Sequence, residues 1–125
     1  TAPDGSVYVA DQDNYRIQKF TSEGVFVDKW GTYGAGNPPQ STPAGQFNNP
    51  CDVAVAPDGS VFVADTNIYR IQKFTSEGVF VTKSDSSDMN DGGFATPCGV
   101  AAGSNGIFYV ADQFYDRIKK FSSGP

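Results

Sequence analysis

A stretch of 26 residues occurs twice in this chain with only four differences. Residues 2–27 read APDGSVYVADQDNYRIQKFTSEGVFV, and residues 56–81 read APDGSVFVADTNIYRIQKFTSEGVFV. A looser third copy, SNGIFYVADQFYDRIKKFSSG, covers residues 104–124. Self-similarity at a spacing of this size is typical of proteins that stack one supersecondary unit after another. The repeat therefore constrains the fold before any single residue can indicate a chemistry.

Each copy alternates apolar and polar residues with a period of two, which predicts β-strands. In the second copy we expect four strands, named a to d from the inside outward, at residues 52–56, 60–64, 69–74 and 79–83. Pro-Asp-Gly lies between a and b, and Ser-Glu-Gly lies between c and d. These residue types favour tight turns. The pattern predicts an up-and-down meander of four strands.

The three copies divide the chain into three sheets and two connecting loops. The first sheet is partial, the second is complete, and the third is partial. The predicted boundaries are residues 1–30 (strands b, c and d), 31–46 (a Gly/Pro-rich loop), 47–83 (strands a to d), 84–93 (a second loop) and 94–125 (strands a, b and c).

Several linked motifs in the second copy resemble the NHL repeat. They are GQFNNPCDVAV at residues 45–55, VAD at 63–65, RIQKF at 70–74 and the Trp-Gly pair at 30–31. The resemblance implies an all-β fold, a β-propeller that is usually six-bladed, in a protein that mostly binds partners through one face. Copy two departs from the P-x-G-V pattern at Asp52, whereas copy three keeps Gly99. We expect about two and a half four-stranded blades, completed by further blades or by other copies of the chain.

Incomplete blades leave apolar faces and strand edges uncovered, because each blade depends on its neighbours to form a core. We therefore expect association with further copies, either in a closed ring or in a filament. The chain starts inside a repeat and without an initiator Met, which favours a trimmed or partial chain.

Composition limits the function classes. Nine Lys and Arg residues stand against fourteen Asp and Glu, giving a net charge of −5, so a nucleic-acid partner is not expected. No apolar run is long enough to predict membrane insertion. The chain has no His, which removes His-bound zinc and a Ser-His-Asp arrangement as hypotheses. We expect no cofactor and no metal, and the composition leans towards an extracellular or cell-surface protein.

The charged and sulfur-containing residues at repeat positions have structural interpretations. An Asp and an Arg recur five residues apart in every copy, where the Asp would bond its local turn. The pairs are Asp11 and Arg16, Asp65 and Arg70, and Asp112 and Arg117. Cys51 and Cys98 precede strand a in their copies. They are either bridged to each other, free buried thiols, or bridges to another chain.

The copies differ mainly in the turns between strands b and c and in the loops between successive sheets. Sequence differences between repeats concentrate in loops that the scaffold does not constrain, and such loops often carry function. We expect exposed side chains there to contact a protein or a glycan. The alternative is that these turns differ only by sequence drift and that their aromatic side chains pack on neighbouring blades. The candidate contact residues are Tyr15, Ile68, Tyr69, Phe114 and Tyr115.

These observations favour a non-catalytic binding or assembly module that acts through its variable loop face. The first alternative is a structural subunit that assembles with itself into a closed ring or an extracellular filament. The second alternative is a fragment of a propeller enzyme, a lyase or a calcium-dependent lactonase. Asp52 is the one carboxylate expected near the channel mouth, which is thin support for a calcium site.

Overall fold

The computed structural model describes residues 2–36, 42–85, 96–113 and 117–122, which form β-strands joined by turns and short 3₁₀ helices. This confirms the predicted all-β class. Nothing in these ranges is a helix of the length and apolarity that a membrane span requires. Residues 86–93 of the predicted second loop and the candidates Phe114 and Tyr115 lie outside the described residues.

Three antiparallel meanders make up the fold, and we call them blades 1, 2 and 3. Blade 1 contains β1 (Val7–Asp11), β2 (Arg16–Phe20) and β3 (Phe26–Trp30). Blade 2 contains β6 (Pro50–Val55), β7 (Val61–Asp65), β8 (Arg70–Phe74) and β9 (Phe80–Asp85). Blade 3 contains β10 (Pro97–Ala102), β11 (Ile107–Asp112) and β12 (Arg117–Ser122).

The strands of blade 2 lie within two residues of the positions expected from the alternating pattern. β6 begins two residues earlier than expected, because a bulge between Pro50 and Asp52 lets the strand continue past the register break. The same irregularity recurs between Pro97 and Gly99 in β10. Equivalent sequences therefore reproduce even the local defect of the inner strand.

The connection between blades 1 and 2 contains two short strands that the sequence analysis treated as loop. β4 (Thr32–Tyr33) pairs in parallel with β5 (Gln46–Phe47). Gly31 precedes β4 with a φ of +114°, and a Cβ there would lie 2.6 Å from the ring of Phe47. Gly31 thus lets the chain turn away from blade 1 and leaves room for the ring of Phe47 between blades 1 and 2.

The core consists of two layers, one on each face of blade 2. In β7, Val61 and Val63 point towards blade 1, whereas Phe62 and Ala64 point towards blade 3. All five residues of β7 are buried. The alternation of side chains across a strand explains how one strand supplies both layers. Blade 2 is therefore covered on both faces, and blades 1 and 3 each have one face in the core.

The inner strands of blades 2 and 3 are joined covalently. Cys51 and Cys98 form a disulfide with their Cα atoms 5.4 Å apart. Next to it, Asp52 Oδ2 accepts a hydrogen bond of 3.0 Å from Val100 N, and Asp52 Oδ1 accepts one of 2.9 Å from Val53 N. The Asp that replaces the usual Gly therefore ties β6 to β10.

Candidate interaction face

The turns between the second and third strands of each blade motif adopt the same unusual backbone in blades 1 and 2. A 3₁₀ helix spans Gln12–Asn14 in blade 1 and Thr66–Ile68 in blade 2. Each ends at a tyrosine in the left-handed region, with φ of 54° at Tyr15 and 61° at Tyr69. A bulky residue in this conformation is strained, so the tertiary contacts must hold it there.

The predicted contact residues have different environments. Tyr69 is exposed, at 37%, as expected for a contact residue. Tyr15 is half-buried and meets Tyr33 edge to face, with ring centroids 4.7 Å apart. Ile68 is only 1% exposed, so its prediction as a surface contact was wrong. Its 3₁₀ turn is pulled inward because Thr66 Oγ1 donates a hydrogen bond of 2.9 Å to Pro97 O of blade 3.

The second strand of blade 2 ends in a buried polar network on this face. Asp65 Oδ2 accepts from Arg70 Nε at 3.3 Å and from Gln72 Nε2 at 3.2 Å. Asp65 Oδ1 accepts from Asn48 N at 2.8 Å. The Asp and Arg side chains are fully buried. The carboxylate therefore orients both an Arg and a Gln side chain towards the preceding loop.

The Arg and the Gln hold this loop by its main chain. Arg70 Nη1 donates to Thr42 O at 2.8 Å, and Arg70 Nη2 donates to Pro43 O at 3.1 Å and to Gln46 O at 2.8 Å. Gln72 Nε2 also donates to Gln46 O at 3.0 Å, and Gln72 Oε1 accepts from Gly45 N at 2.9 Å. Residues 42–48 are thus recognised mainly through carbonyl and amide groups.

Blade 1 carries the same network, and no segment of the described residues is bound to it. Asp11 Oδ2 accepts from Arg16 Nε at 2.9 Å and from Gln18 Nε2 at 3.1 Å. The Arg16 side chain is 30% exposed, and within the described residues its hydrogen bonds run to Asp11 alone. The groups that hold the loop in blade 2 are therefore assembled in blade 1 and face solvent.

Blade 3 carries a variant of the arrangement. Asp112 is paired with Arg117 in the register of β11 and β12, and Asp112 Oδ1 accepts from Thr96 N at 3.0 Å. Lys119 stands where blades 1 and 2 have Gln18 and Gln72. The Gln-dependent part of the recognition is therefore a property of the first two blades.

The carboxyl groups of Asp65 and Asp11 have pKa values shifted in opposite directions, because only Asp65 is deeply buried. It raises the pKa of Asp65 from 3.8 to about 6, although the hydrogen bond from Asn48 and the charge of Arg70 act in the opposite direction. The pKa of Asp11 is instead lowered, first by the hydrogen bond from Asn14 and then by the one from Arg16. Asp11 is therefore a surface carboxylate that stays charged beside Arg16.

The sequence analysis assigned the Asp–Arg pairs to the local turns and missed their contact with the preceding loop. The glutamine two residues after the Arg was the available signal, since R-I-Q occurs in both of the first two copies. Among the described residues no three His, Cys, Asp or Glu side chains form a cluster that could hold a metal ion. Asp52, the expected channel carboxylate, bonds two backbone amides.

Residues 47–74 match the family model of the NHL repeat. This segment of the chain is an NHL repeat. The matched segment runs from Phe47 through the inner strand of blade 2 to the end of β8, and it contains the whole Asp65–Arg70–Gln72 network. The three side chains of the blade 2 network therefore belong to the NHL repeat.

One curated relative is peptidyl-glycine alpha-amidating monooxygenase A of Xenopus laevis, which is 40% identical over 80 residues. The match covers 62% of this chain and 8% of that protein. This chain thus corresponds to a small part of the relative.

Solved structures share the fold at low identity. A protein of unknown function from Bacteroides caccae is 14% identical with a TM-score of 0.71, covering 98% of this chain and 44% of that one. An inactive virginiamycin B lyase from Staphylococcus aureus, solved with quinupristin, is 16% identical with a TM-score of 0.63, covering 97% and 39%. These neighbours establish the fold of this chain as a partial β-propeller, which agrees with the sequence-based expectation.

Proposed function

We propose that the chain is a non-catalytic binding module whose loop face takes a turn-forming peptide segment of a protein partner. The observation that carries this proposal is the solvent-facing network of Asp11, Arg16 and Gln18. Its counterpart in blade 2 binds a peptide segment within the same chain. Two copies of one recognition device, of which the blade 2 copy binds residues 42–46 of this chain, support a site for a second peptide segment.

The chemistry of the filled site defines the segment that fits. Four donor hydrogen bonds from Arg70 and Gln72 reach three carbonyl oxygens, and one amide returns a bond to Gln72. Charge-assisted bonds from a planar guanidinium are well suited to several acceptors held close together. The ligand is therefore a turn-forming peptide that presents successive carbonyl groups, rather than a glycan.

An apolar anchor follows the polar segment. Phe47 is fully buried and lies with its ring centroid 5.8 Å from that of Phe74. Blade 1 has Phe20 at the position of Phe74, and Phe20 is half-buried. A peptide with an aromatic residue one position after the last carbonyl contact would place that ring beside Phe20, which would add affinity and direction.

A synthetic peptide with the sequence of residues 42–50, TPAGQFNNP, tests the proposal. We expect the labelled peptide to bind the chain in a fluorescence anisotropy titration, and Arg16→Ala and Gln18→Ala each to weaken binding at least tenfold. Lys120→Ala, at an exposed position of β12 in blade 3, is the matched control and should bind normally. Binding that is unchanged in both site variants, or no binding at all, contradicts the proposal; capture of oligosaccharides instead would favour a glycan partner.

The disulfide supports an extracellular or cell-surface location for this module, because such bonds persist in oxidising compartments. Expression with a secretion signal should yield a chain whose intact mass changes on reduction. A chain with two free thiols under these conditions would remove this support.

A further inference from the structure

We propose that two copies of this chain associate through the outer strands of their blades, with one outer strand lying antiparallel to the other. The contact surface is an apolar triplet, Val-Phe-Val, which occurs at residues 25–27 of blade 1 and again at residues 79–81 of blade 2. We call these two triplets the rim patches. The proposal is independent of the peptide site, because the rim patches lie at the outer edges of the blades rather than on the loop face.

The rim patches lie where each sheet ends. Within the described residues, β3 is the last strand of blade 1 and β9 is the last strand of blade 2, and each pairs on one side only. Both strands follow the turn Thr-Ser-Glu-Gly. The turn closes through a hydrogen bond of 2.8 Å, from Thr21 N to Val25 O in blade 1 and from Thr75 N to Val79 O in blade 2. Identical turns therefore present identical side chains at the outer edges of two blades.

The rim patches are exposed in both blades, although the two blades have different neighbours. Blade 2 lies between blades 1 and 3, and it exposes Val79 at 62%, Phe80 at 37% and Val81 at 49%. In blade 1, Val25 is 61% exposed and Val27 is 49% exposed. The exposure of the valines therefore does not depend on which blades lie beside the strand. Contiguous apolar side chains at a surface are typical of an interaction site.

Two features of the outer strands disfavour the addition of a further strand through the backbone. A bulge interrupts the pairing of β3 between Lys19 and Phe20, and β9 has the same bulge. At the start of the patch, the amide and the carbonyl of Val25 both bond to Thr21. Bulges at a sheet edge discourage pairing with another strand. A partner therefore contacts the side chains of the rim patches rather than their main chain.

The charges beside the rim patches identify a second copy of the chain as the partner. Glu23 lies three residues before Phe26, and Lys29 lies three residues after it. Both charged side chains are exposed, and within the described residues neither forms an ion pair. The same spacing in blade 2 is formed by Glu77, Phe80 and Lys83. Each patch therefore carries a negative charge at one end and a positive charge at the other.

An antiparallel arrangement of two such patches is self-complementary. With the two copies centred on Phe26, Glu23 of one copy lies opposite Lys29 of the other at both ends of the contact. Val25 of one copy then meets Val27 of the other. A surface that contacts itself in this way forms a closed twofold pair. The apolar triplets supply the affinity, and the flanking charges set the direction of the partner.

Reversal of the flanking charges tests this pairing. In one variant, Glu23→Lys with Glu77→Lys, each patch is positive at both ends; in the other, Lys29→Glu with Lys83→Glu, each patch is negative at both ends. We expect the wild-type chain to associate in sedimentation velocity, and each variant alone to associate at least about fivefold more weakly. An equimolar mixture of the two variants should associate as the wild type does, because opposite charges meet again between the two chains.

The net charge and two further variants separate the local contact from general repulsion. The Glu→Lys variant changes the net charge from −5 to −1, since each replacement adds two positive charges. General repulsion would then fall, so weaker association in this variant reports the contact itself. Asp13→Lys and Lys120→Glu, at exposed positions outside the patches, should associate as the wild type does. Val25→Ser with Val79→Ser should weaken association because the apolar contact is lost.

A wild-type chain that stays monomeric at its highest soluble concentration overturns the proposal. Association that is unchanged in both charge variants, or a mixture that associates no better than its components, overturns it as well. Circular dichroism checks that each variant is folded. The corresponding Gln variants replace any reversed variant that is not, and each of them should also weaken association. Arg16→Ala should lose peptide binding and keep association, so the failure of one proposal can be told from the failure of the other.

Discussion

Asp65 and Arg70 form an ion pair in which both side chains are fully buried, with Arg70 Nε 3.3 Å from Asp65 Oδ2. The pair is acceptable inside the core because backbone carbonyls and amides satisfy the remaining donors and acceptors. The same two residue types form an exposed pair in blade 1, Asp11 with Arg16. One chain therefore contains a buried and an exposed version of one interaction.

Replacing the Arg of each pair with Ala should lower the free energy of unfolding by different amounts in the two blades. Arg70→Ala leaves a buried carboxylate without its cation and the carbonyls of Thr42 and Pro43 without their donor, so we expect the free energy of unfolding to fall by about 3 kcal/mol or more. Arg16→Ala leaves only solvated groups and should change it far less. Urea denaturation of both variants measures the difference. Equal losses would mean that the loop contact adds no stability.

The stability of the chain should depend on the protonation of Asp65. Its folded pKa of about 6 lies above the value of 3.8 expected for the unfolded chain. The folded state therefore binds the proton more tightly, and this group increases the free energy of unfolding as the pH falls from about 6 to about 4.

A shift of about two pH units corresponds to about 3 kcal/mol at most. Asp65→Asn should lack this contribution, so the difference in unfolding free energy between wild type and variant should change across that window. Chemical denaturation at a series of pH values checks the result. A difference that is constant from pH 4 to pH 7 would show that the burial of Asp65 does not perturb its titration.

Loss of the disulfide should destabilise the contact between blades 2 and 3. The bridge closes a loop of 47 residues, for which the chain-entropy model gives about 4 kcal/mol. We expect the double variant Cys51→Ser, Cys98→Ser to unfold at a lower denaturant concentration, because its free energy of unfolding is lower by about 2 to 4 kcal/mol. The reduced wild type is the matched control, and the two should unfold alike.

Glycine substitutions distinguish the two left-handed tyrosines. Glycine removes the backbone strain at both Tyr15 and Tyr69, by about 1 kcal/mol each. Tyr15→Gly also loses the ring contact with Tyr33, whereas Tyr69 is exposed. We therefore expect Tyr69→Gly to be neutral or stabilising and Tyr15→Gly to be the less stable of the two by at least about 1 kcal/mol. Thermal unfolding ranks them, and the reverse order would place Tyr69 in the core.

Much of the meander was accessible from the sequence because it depends on local patterns. Alternation in VFVAD and RIQKF predicts strands whichever neighbours they meet, and Pro-Asp-Gly predicts the turn between them. The short parallel pair β4 and β5 was not accessible, since its two strands are separated by a loop and neither shows a pattern of its own. The hydrogen bonds from Arg70 to residues 42–46 were not accessible from the sequence either, because they join groups that are distant in the chain.

Repetition in the sequence determined that this chain folds as similar antiparallel meanders, because the same local pattern gives the same strands each time. The tertiary structure decided what each repeated residue does. Ile17 is core and Ile118 is surface, and Ile68 is buried although its turn is polar. Burial depends on whether a neighbouring blade lies over the residue, and identical residues in successive repeats meet different neighbours.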